Sequence, residues 1–260
     1  MNLPFSTILF RFSVGLLCFQ WVSSPLLSDD WQSNCQQIVA VVTEDWESAR
    51  GRLCTLEKSG TQWVAVGTPI PVTVGKKGLG WGLGLHALDR AGPLKREGDK
   101  RAPAGLFRLE SGFGTKLLVI RKFGYRRTTA TDFWVDDPES LHYNRWVDTG
   151  SRNLTRDWSS AEVLRRPDNI YDYAIVVGHN RDSIIPGRGS AIFLHAWFGE
   201  GIATIGCTAM PMENVRSLLE WLDRAKRPVL AQVPAAELKY LNLPVETEFV
   251  LESLTKSTLR

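Results

Sequence analysis

Two side chains in the C-terminal half could carry covalent chemistry together. Cys207 stands in Thr204-Ile205-Gly206-Cys207-Thr208-Ala209-Met210, and His195 closes the apolar run Ala191-Ile192-Phe193-Leu194-His195. A thiol attacks a carbonyl near neutral pH only when a base removes its proton or its pKa falls, and a histidine on a neighbouring strand supplies that base. Gly206 places bare backbone beside the sulfur, where amide hydrogens can face a developing oxyanion. The set Cys207, His195 and Gly206 therefore reads as nucleophile, base and oxyanion-stabilising turn. Serine chemistry finds no support, because Gly187-Arg188-Gly189-Ser190 is not a nucleophile elbow.

Such a pair needs rigid elements on both sides. The run ending at His195 reads as a strand. Past Cys207, Val215, Leu218, Leu219 and Leu222 recur at helical spacing, which predicts a helix over about 212–225 with Pro211 at its start and Pro228 beyond its end. Upstream, β-branched runs at 38–42, 52–56 and 63–66 alternate with polar turns and predict a β-meander. Further strands are expected near 116–120 and 173–177, with an irregular tryptophan-rich stretch between them over 133–158. The glycine-rich segment 78–86 does not fit the dinucleotide fingerprint and reads as a loop; 95–105 lacks the ending of a phosphate loop.

The remaining composition narrows the class. With 260 residues, 43% of them hydrophobic, the chain can bury a large core, and a formal charge of +3 spread along the sequence does not imply nucleic acid. Met1 to Ser24 has an early Arg11 and then an apolar stretch, the pattern of a signal peptide, with processing expected by about residue 28. Export follows, to the periplasm or cell envelope, with membrane contact only where that segment stays uncleaved. Losing Cys18 with the signal leaves Cys35, Cys54 and Cys207. Cys35 and Cys54 flank a hairpin and could pair or stay as two free buried thiols, while Cys207 is the odd one. No His, Cys, Asp and Glu cluster has metal-ligand spacing, so neither metal nor cofactor is expected.

The stretch from Tyr171 to Trp221 resembles the catalytic core of the L,D-transpeptidase (YkuD-like) family, which pairs a strand-borne histidine with a threonine or serine, one variable residue, glycine and cysteine, as in Thr204-Ile205-Gly206-Cys207. The Glu97-Gly98-Asp99 and Pro103-Ala104-Gly105 elements and the run from Pro186 to His195 are similar to further family segments, so the likeness spans about 36–234. It implies a mainly β fold with a few helices, sandwich-like or barrel-like, with a helix after the catalytic cysteine, as one catalytic domain over 29–260. It also implies the reaction: Cys207 forms a thioester with the stem tetrapeptide of peptidoglycan, releases D-alanine and passes the acyl group to an amine. With water as acceptor the same pair would be a carboxypeptidase or endopeptidase, and without turnover the fold would be a wall-binding domain. A carbapenem should form an adduct on Cys207.

Two departures from the family stand out. Ala209 occupies a position where many members have arginine, for which Arg188 is the expected substitute, and Ile205 stands where histidine is common. Thr204, Arg188, Trp197 and His179 are the expected substrate-binding residues. Asp136, Asp137, Tyr143 and Asn144 are expected to shape a loop beside the site.

Overall fold

The computed structural model describes residues 31–87, 91–151, 154–241, 243 and 247. The expected signal segment and Cys18 lie outside them. A short helix, α1 (Trp31–Asn34), leads into the predicted meander: β1 (Gln37–Thr43), β2 (Arg50–Ser59) and β3 (Gln62–Thr73). Then come β4 (Leu79–Trp81), β5 (Ala102–Gly114), β6 (Tyr125–Arg127), β7 (Asp132–Val135), β8 (Trp146–Asp148) and β9 (Ala161–Val163). The C-terminal part adds β10 (Ala174–Val177), β11 (Phe193–Ala196), β12 (Thr208–Met210), α2 (Met212–Trp221) and β13 (Val229–Pro234).

The fold is mainly β with few helices, as expected. The main sheet runs β10-β11-β12-β3-β2-β1-β13-β5-β4, and β10 pairs a second time, with β5. That pairing returns the path to itself, so eight strands form a closed, barrel-like ring whose members all have two neighbours, which removes the exposed edges an open sheet would leave. The ring closes through parallel pairing of β1 with β13, Ile38 opposite Val229. Strand β1 is buried along its whole length, and its QIVAVVT sequence is accordingly apolar without alternation. A separate three-stranded sheet, β8-β7-β9, covers part of one face. Asp132 fastens it to β6: its buried carboxylate accepts from Arg126 Nη2 at 2.6 Å, Trp146 Nε1 at 2.7 Å and the Thr129 amide at 2.8 Å.

Several expectations change. The helix after the cysteine stops at Trp221, not near 225, because Asp223 caps a separate tight turn by accepting from the Ala225 amide. Gln37 of β1 fixes that break, donating to the Trp221 carbonyl and accepting from the Asp223 amide. Segment 116–120 is not a strand. Leu117 and Val119 are 72% and 80% exposed, and the Lys116 carbonyl is held by the Tyr125 hydroxyl instead of a ladder. The tryptophan-rich stretch is not irregular throughout, since β7 and β8 lie in it. The glycine-rich segment includes β4, which pairs in parallel with β5; its partner lies too far along the chain for local pattern to reveal.

Cys35 and Cys54 are free and buried. Cys54 lies opposite Ala40 of β1, which is five residues along the chain from Cys35. At about 3.3 Å per residue that separation is well beyond disulfide reach. Burial pushes Cys35 up to about 11 and Cys54 up to about 12, so both stay protonated. Among the described residues, no helix is long and apolar enough to cross a membrane.

Candidate active site

Cys207 immediately precedes β12, and His195 lies on the adjoining β11. The two strands are parallel, with His195 opposite Ala209. Alternation then puts Cys207, Ala209 and His195 on one face, while Leu194 and Met210 on the other face join the main core. This explains why Ala191 to His195 is apolar throughout: Phe193 and Cys207 belong to a second apolar cluster with Trp134 and Tyr171. Both functional side chains open on one cleft of about 440 Å³.

Cys207 is 9% exposed, and its sulfur sits 3.4 Å from both the Phe193 amide nitrogen and the Ala191 carbonyl oxygen. Burial pushes its thiol up to about 12. Burial also pushes the His195 imidazole down to about 4. Its Nδ1 is 2.7 Å from the Ala196 carbonyl, which can only accept, so Nδ1 carries the proton and Nε2 is the basic nitrogen. The ring packs edge-on against Tyr171, centroids 5.3 Å apart. At neutral pH the pair is thus an uncharged thiol and an uncharged imidazole, with the base in the tautomer that can accept a proton.

The turn before Cys207 is tied from both sides. Thr204 pairs with the end of the meander through its amide to Val74 and its carbonyl from Lys76. Its hydroxyl donates to the Cys207 carbonyl at 2.6 Å and accepts from the Gly206 amide at 3.1 Å. Two expectations shift as a result. Thr204 lines the cleft, but its hydroxyl is committed to the turn instead of to a ligand. The Gly206 amide is likewise engaged, so it is not a ready oxyanion donor. Gly206 is not needed for backbone freedom either, since a Cβ there would meet nothing closer than 3.5 Å.

Of the other expected binding residues, Trp197 lines the cleft, beside the exposed Phe198 and Ile205. Arg188 does not. Its Nε donates to the Lys95 carbonyl at 3.4 Å, and its own carbonyl accepts from His179 Nε2 at 2.9 Å. His179 is 1% exposed, does not line the cleft, and uses its other nitrogen to accept from the Leu83 amide, so both ring nitrogens serve backbone. Burial pushes this imidazole down to about 3. Gly189 completes the packing, with φ +98° and no room for a Cβ, which would come within 2.8 Å of His179 Nε2.

The loop residues take definite places. Asn144 accepts from Trp134 Nε1 at 2.9 Å and the Ala191 amide at 3.2 Å, and donates to the carbonyls of His179 and Asn180. It thereby positions Ala191, whose φ of +51° is strained for a residue with a Cβ and whose carbonyl faces the sulfur. The Tyr143 hydroxyl donates to Glu97, a cleft residue. Sequence reasoning did not single out Glu162, Arg166 and Tyr171, which also line the cleft. Glu162 lies on strand β9, so the helical i,i+4 rule does not apply to it and Arg166, and no local pattern marks these residues. No group of three or more His, Cys, Asp and Glu among the described residues is arranged to hold a metal ion.

A buried thiol and a correctly protonated imidazole, side by side over a cleft on a closed β ring, define a site suited to acyl chemistry through sulfur. The chain belongs to the L,D-transpeptidase catalytic domain family, YkuD, whose model matches residues 48–231. No curated protein sequence matches it significantly. Among solved structures it is similar to Bd1075 of Bdellovibrio bacteriovorus, with 12% identity, a TM-score of 0.39, and coverage of 87% of this chain and 57% of that one. It is also similar to the helical cell shape determining protein Pgp2 of Campylobacter jejuni, with 14% identity, a TM-score of 0.35, and coverage of 79% and 54%. This chain spans little more than half the length of either.

Proposed function

We propose that the protein is an exported peptidoglycan L,D-transpeptidase working through a Cys207 thioester, with its catalytic domain spanning about 36–234 and a signal peptide over 1–28. The observation that carries this reading is the placement of Cys207 and His195 on one face of adjoining strands, over a single cleft.

In the reaction, His195 Nε2 takes the thiol proton as the sulfur attacks the carbonyl carbon of the third stem residue. The carbonyl π pair moves onto oxygen, where the Cys207 amide is the backbone donor suited to receive it, since the Gly206 amide is engaged by Thr204. The carbon–nitrogen bond then breaks. The departing D-alanine nitrogen takes the proton from His195, leaving the thioester. An acceptor amine attacks that thioester and gives a proton to His195; the released thiolate recovers it. Water in place of the amine yields the tripeptide acid.

Burial of both groups fits this sequence, because neither carries charge until substrate displaces water and proton transfer accompanies attack. The test is to incubate the purified protein with disaccharide tetrapeptide and examine products by mass spectrometry. Cross-linked dimer with free D-alanine is expected, and tripeptide alone would reassign the activity to hydrolysis. A carbapenem should add one mass adduct on Cys207. An equal adduct on Cys207→Ala, or none on the wild type, would sink the nucleophile assignment.

A further inference from the structure

Arg166, just past β9, puts a guanidinium into the cleft close to the reacting groups. Its Nε and one Nη2 hydrogen go to Asp168, and one Nη1 hydrogen goes to Glu162 Oε1 at 2.8 Å. A guanidinium has five N–H donors, so these bonds leave one on each Nη. The two carboxylates fix the plane of the group before any ligand arrives, and the side chain is 31% exposed. The guanidinium carbon lies 5.6 Å from the Tyr171 ring centroid, and the same ring packs edge-on against His195. Arginine and imidazole therefore contact one buried tyrosine and open into one cleft.

Lys95, another cation lining the cleft, is placed differently. It is 3% exposed, and its ammonium is bound by Asp99 at 2.7 Å and by the Arg96 carbonyl. On the other side Trp197, Phe198, Ile202 and Ile205 offer no charge. Lys100 also lines the cleft and is exposed, but as an ammonium point charge; Arg166 is the partly exposed cation there whose plane two carboxylates hold, and guanidinium N–H groups suit a carboxylate's oxygens.

We propose that Arg166 binds the free terminal carboxylate of the donor peptide, so that the site reads chain ends and does not cut internal cross-links. This rests on the acyl-transfer reading of Cys207. A terminal carboxylate lies one residue beyond the scissile carbonyl, within reach of a cation sharing the cleft with the nucleophile. Lys95, Lys100 and Arg166 face Glu97, Asp136 and Glu162 around the cleft, and Asp99 and Asp168 pair two of those cations, so recognition comes from the directed N–H groups of Arg166 and not from net positive charge.

The experiment compares tetrapeptide bearing a free D-alanine carboxylate with its terminal amide, on wild type, Arg166→Gln and Arg166→Lys. Wild type should favour the free acid at least tenfold in kcat/KM. Arg166→Gln should lose roughly tenfold to a hundredfold on the acid with little change on the amide, and Arg166→Lys should recover part of the preference. Equal use of acid and amide by wild type, or a preference that survives Arg166→Gln, overturns the proposal. A preference lost instead on amidating the side-chain carboxylate of the third residue also overturns it.

A second readout does not depend on the peptide reaction. The rate of Cys207 alkylation by anionic iodoacetate relative to neutral iodoacetamide should fall several-fold in Arg166→Gln, while the iodoacetamide rate and the melting temperature confirm a folded site. An unchanged ratio counts against Arg166 even if no peptide is turned over. Absence of turnover with a lowered ratio counts against the acyl-transfer reading alone.

Discussion

A cysteine held near 12 and a histidine held near 4 exchange no proton at rest, and this sets how the thiol should respond to pH. Below its pKa the thiolate fraction rises tenfold with each pH unit. Alkylation of Cys207 by iodoacetamide should therefore climb steadily from pH 7 to 10, measured by mass spectrometry at timed intervals. A plateau between pH 5 and 8 would indicate a standing thiolate–imidazolium pair and contradict the resting state described above. His195→Gln should reduce peptide turnover about a hundredfold or more by removing the general base, with the alkylation rate changed far less. At this scale the sequence was informative where it carried a motif, at His195 and Cys207. It misled where distance along the chain hides contact. Arg188 was the expected substitute for the arginine missing at Ala209, yet its Nε donates to the Lys95 carbonyl and it does not line the cleft, while Arg166, just past β9, does.

The turn that presents Cys207 depends on residues that do not line the cleft. Asn144, in the loop between β7 and β8, makes four side-chain hydrogen bonds in the interior and anchors the Ala191 segment behind Cys207. Asn144→Ala removes all four and leaves buried partners unsatisfied, which costs on the order of 3 kcal/mol. For a domain of this size that lowers the melting temperature by roughly 6–12 °C, and turnover should fall together with stability. A variant melting within 2 °C of wild type would show that the loop does not support the site. Elements with local signals were legible: the β-branched runs of β1 to β3 between polar turns, and the 3.6-residue spacing of Val215, Leu218 and Leu219 in α2. The three-residue strands β4, β8 and β9 are too short to carry a period and exist because tertiary partners hold them.

Buried neutral groups also make the whole molecule sensitive to pH. His179 and His195 titrate near 3 and 4 in the fold but near 6.5 when unfolded, so the unfolded chain binds protons first as pH falls. Their contribution is complete above about pH 6.5 and is lost progressively as pH drops toward 4 and 3. Cys35, Cys54 and Cys207 act at the other end. Their folded values of about 11 to 12 exceed the unfolded value of 9, so stability declines as pH rises past 9. Melting curves across pH 4 to 10.5 should show a plateau between about 6.5 and 9 with a fall on each side. An unchanged melting temperature from pH 6.5 to 4.5 would mean that the two imidazoles are not buried as described.

The parallel pairing of β1 with β13 joins strands almost two hundred residues apart, Ile38 opposite Val229. A nascent polypeptide can form the β1–β3 hairpins early, but β1 lacks its second neighbour until residues 229–234 have emerged. Ring closure must therefore wait until β13 has been made, and such long-range pairing makes folding slow compared with a helical bundle of equal size. Chains cut short before Val229 would present open edges on β1 and β5, a template for association with other copies. The topology thus imposes an interval during synthesis in which β1 and β5 are exposed, ended only when β13 arrives between them.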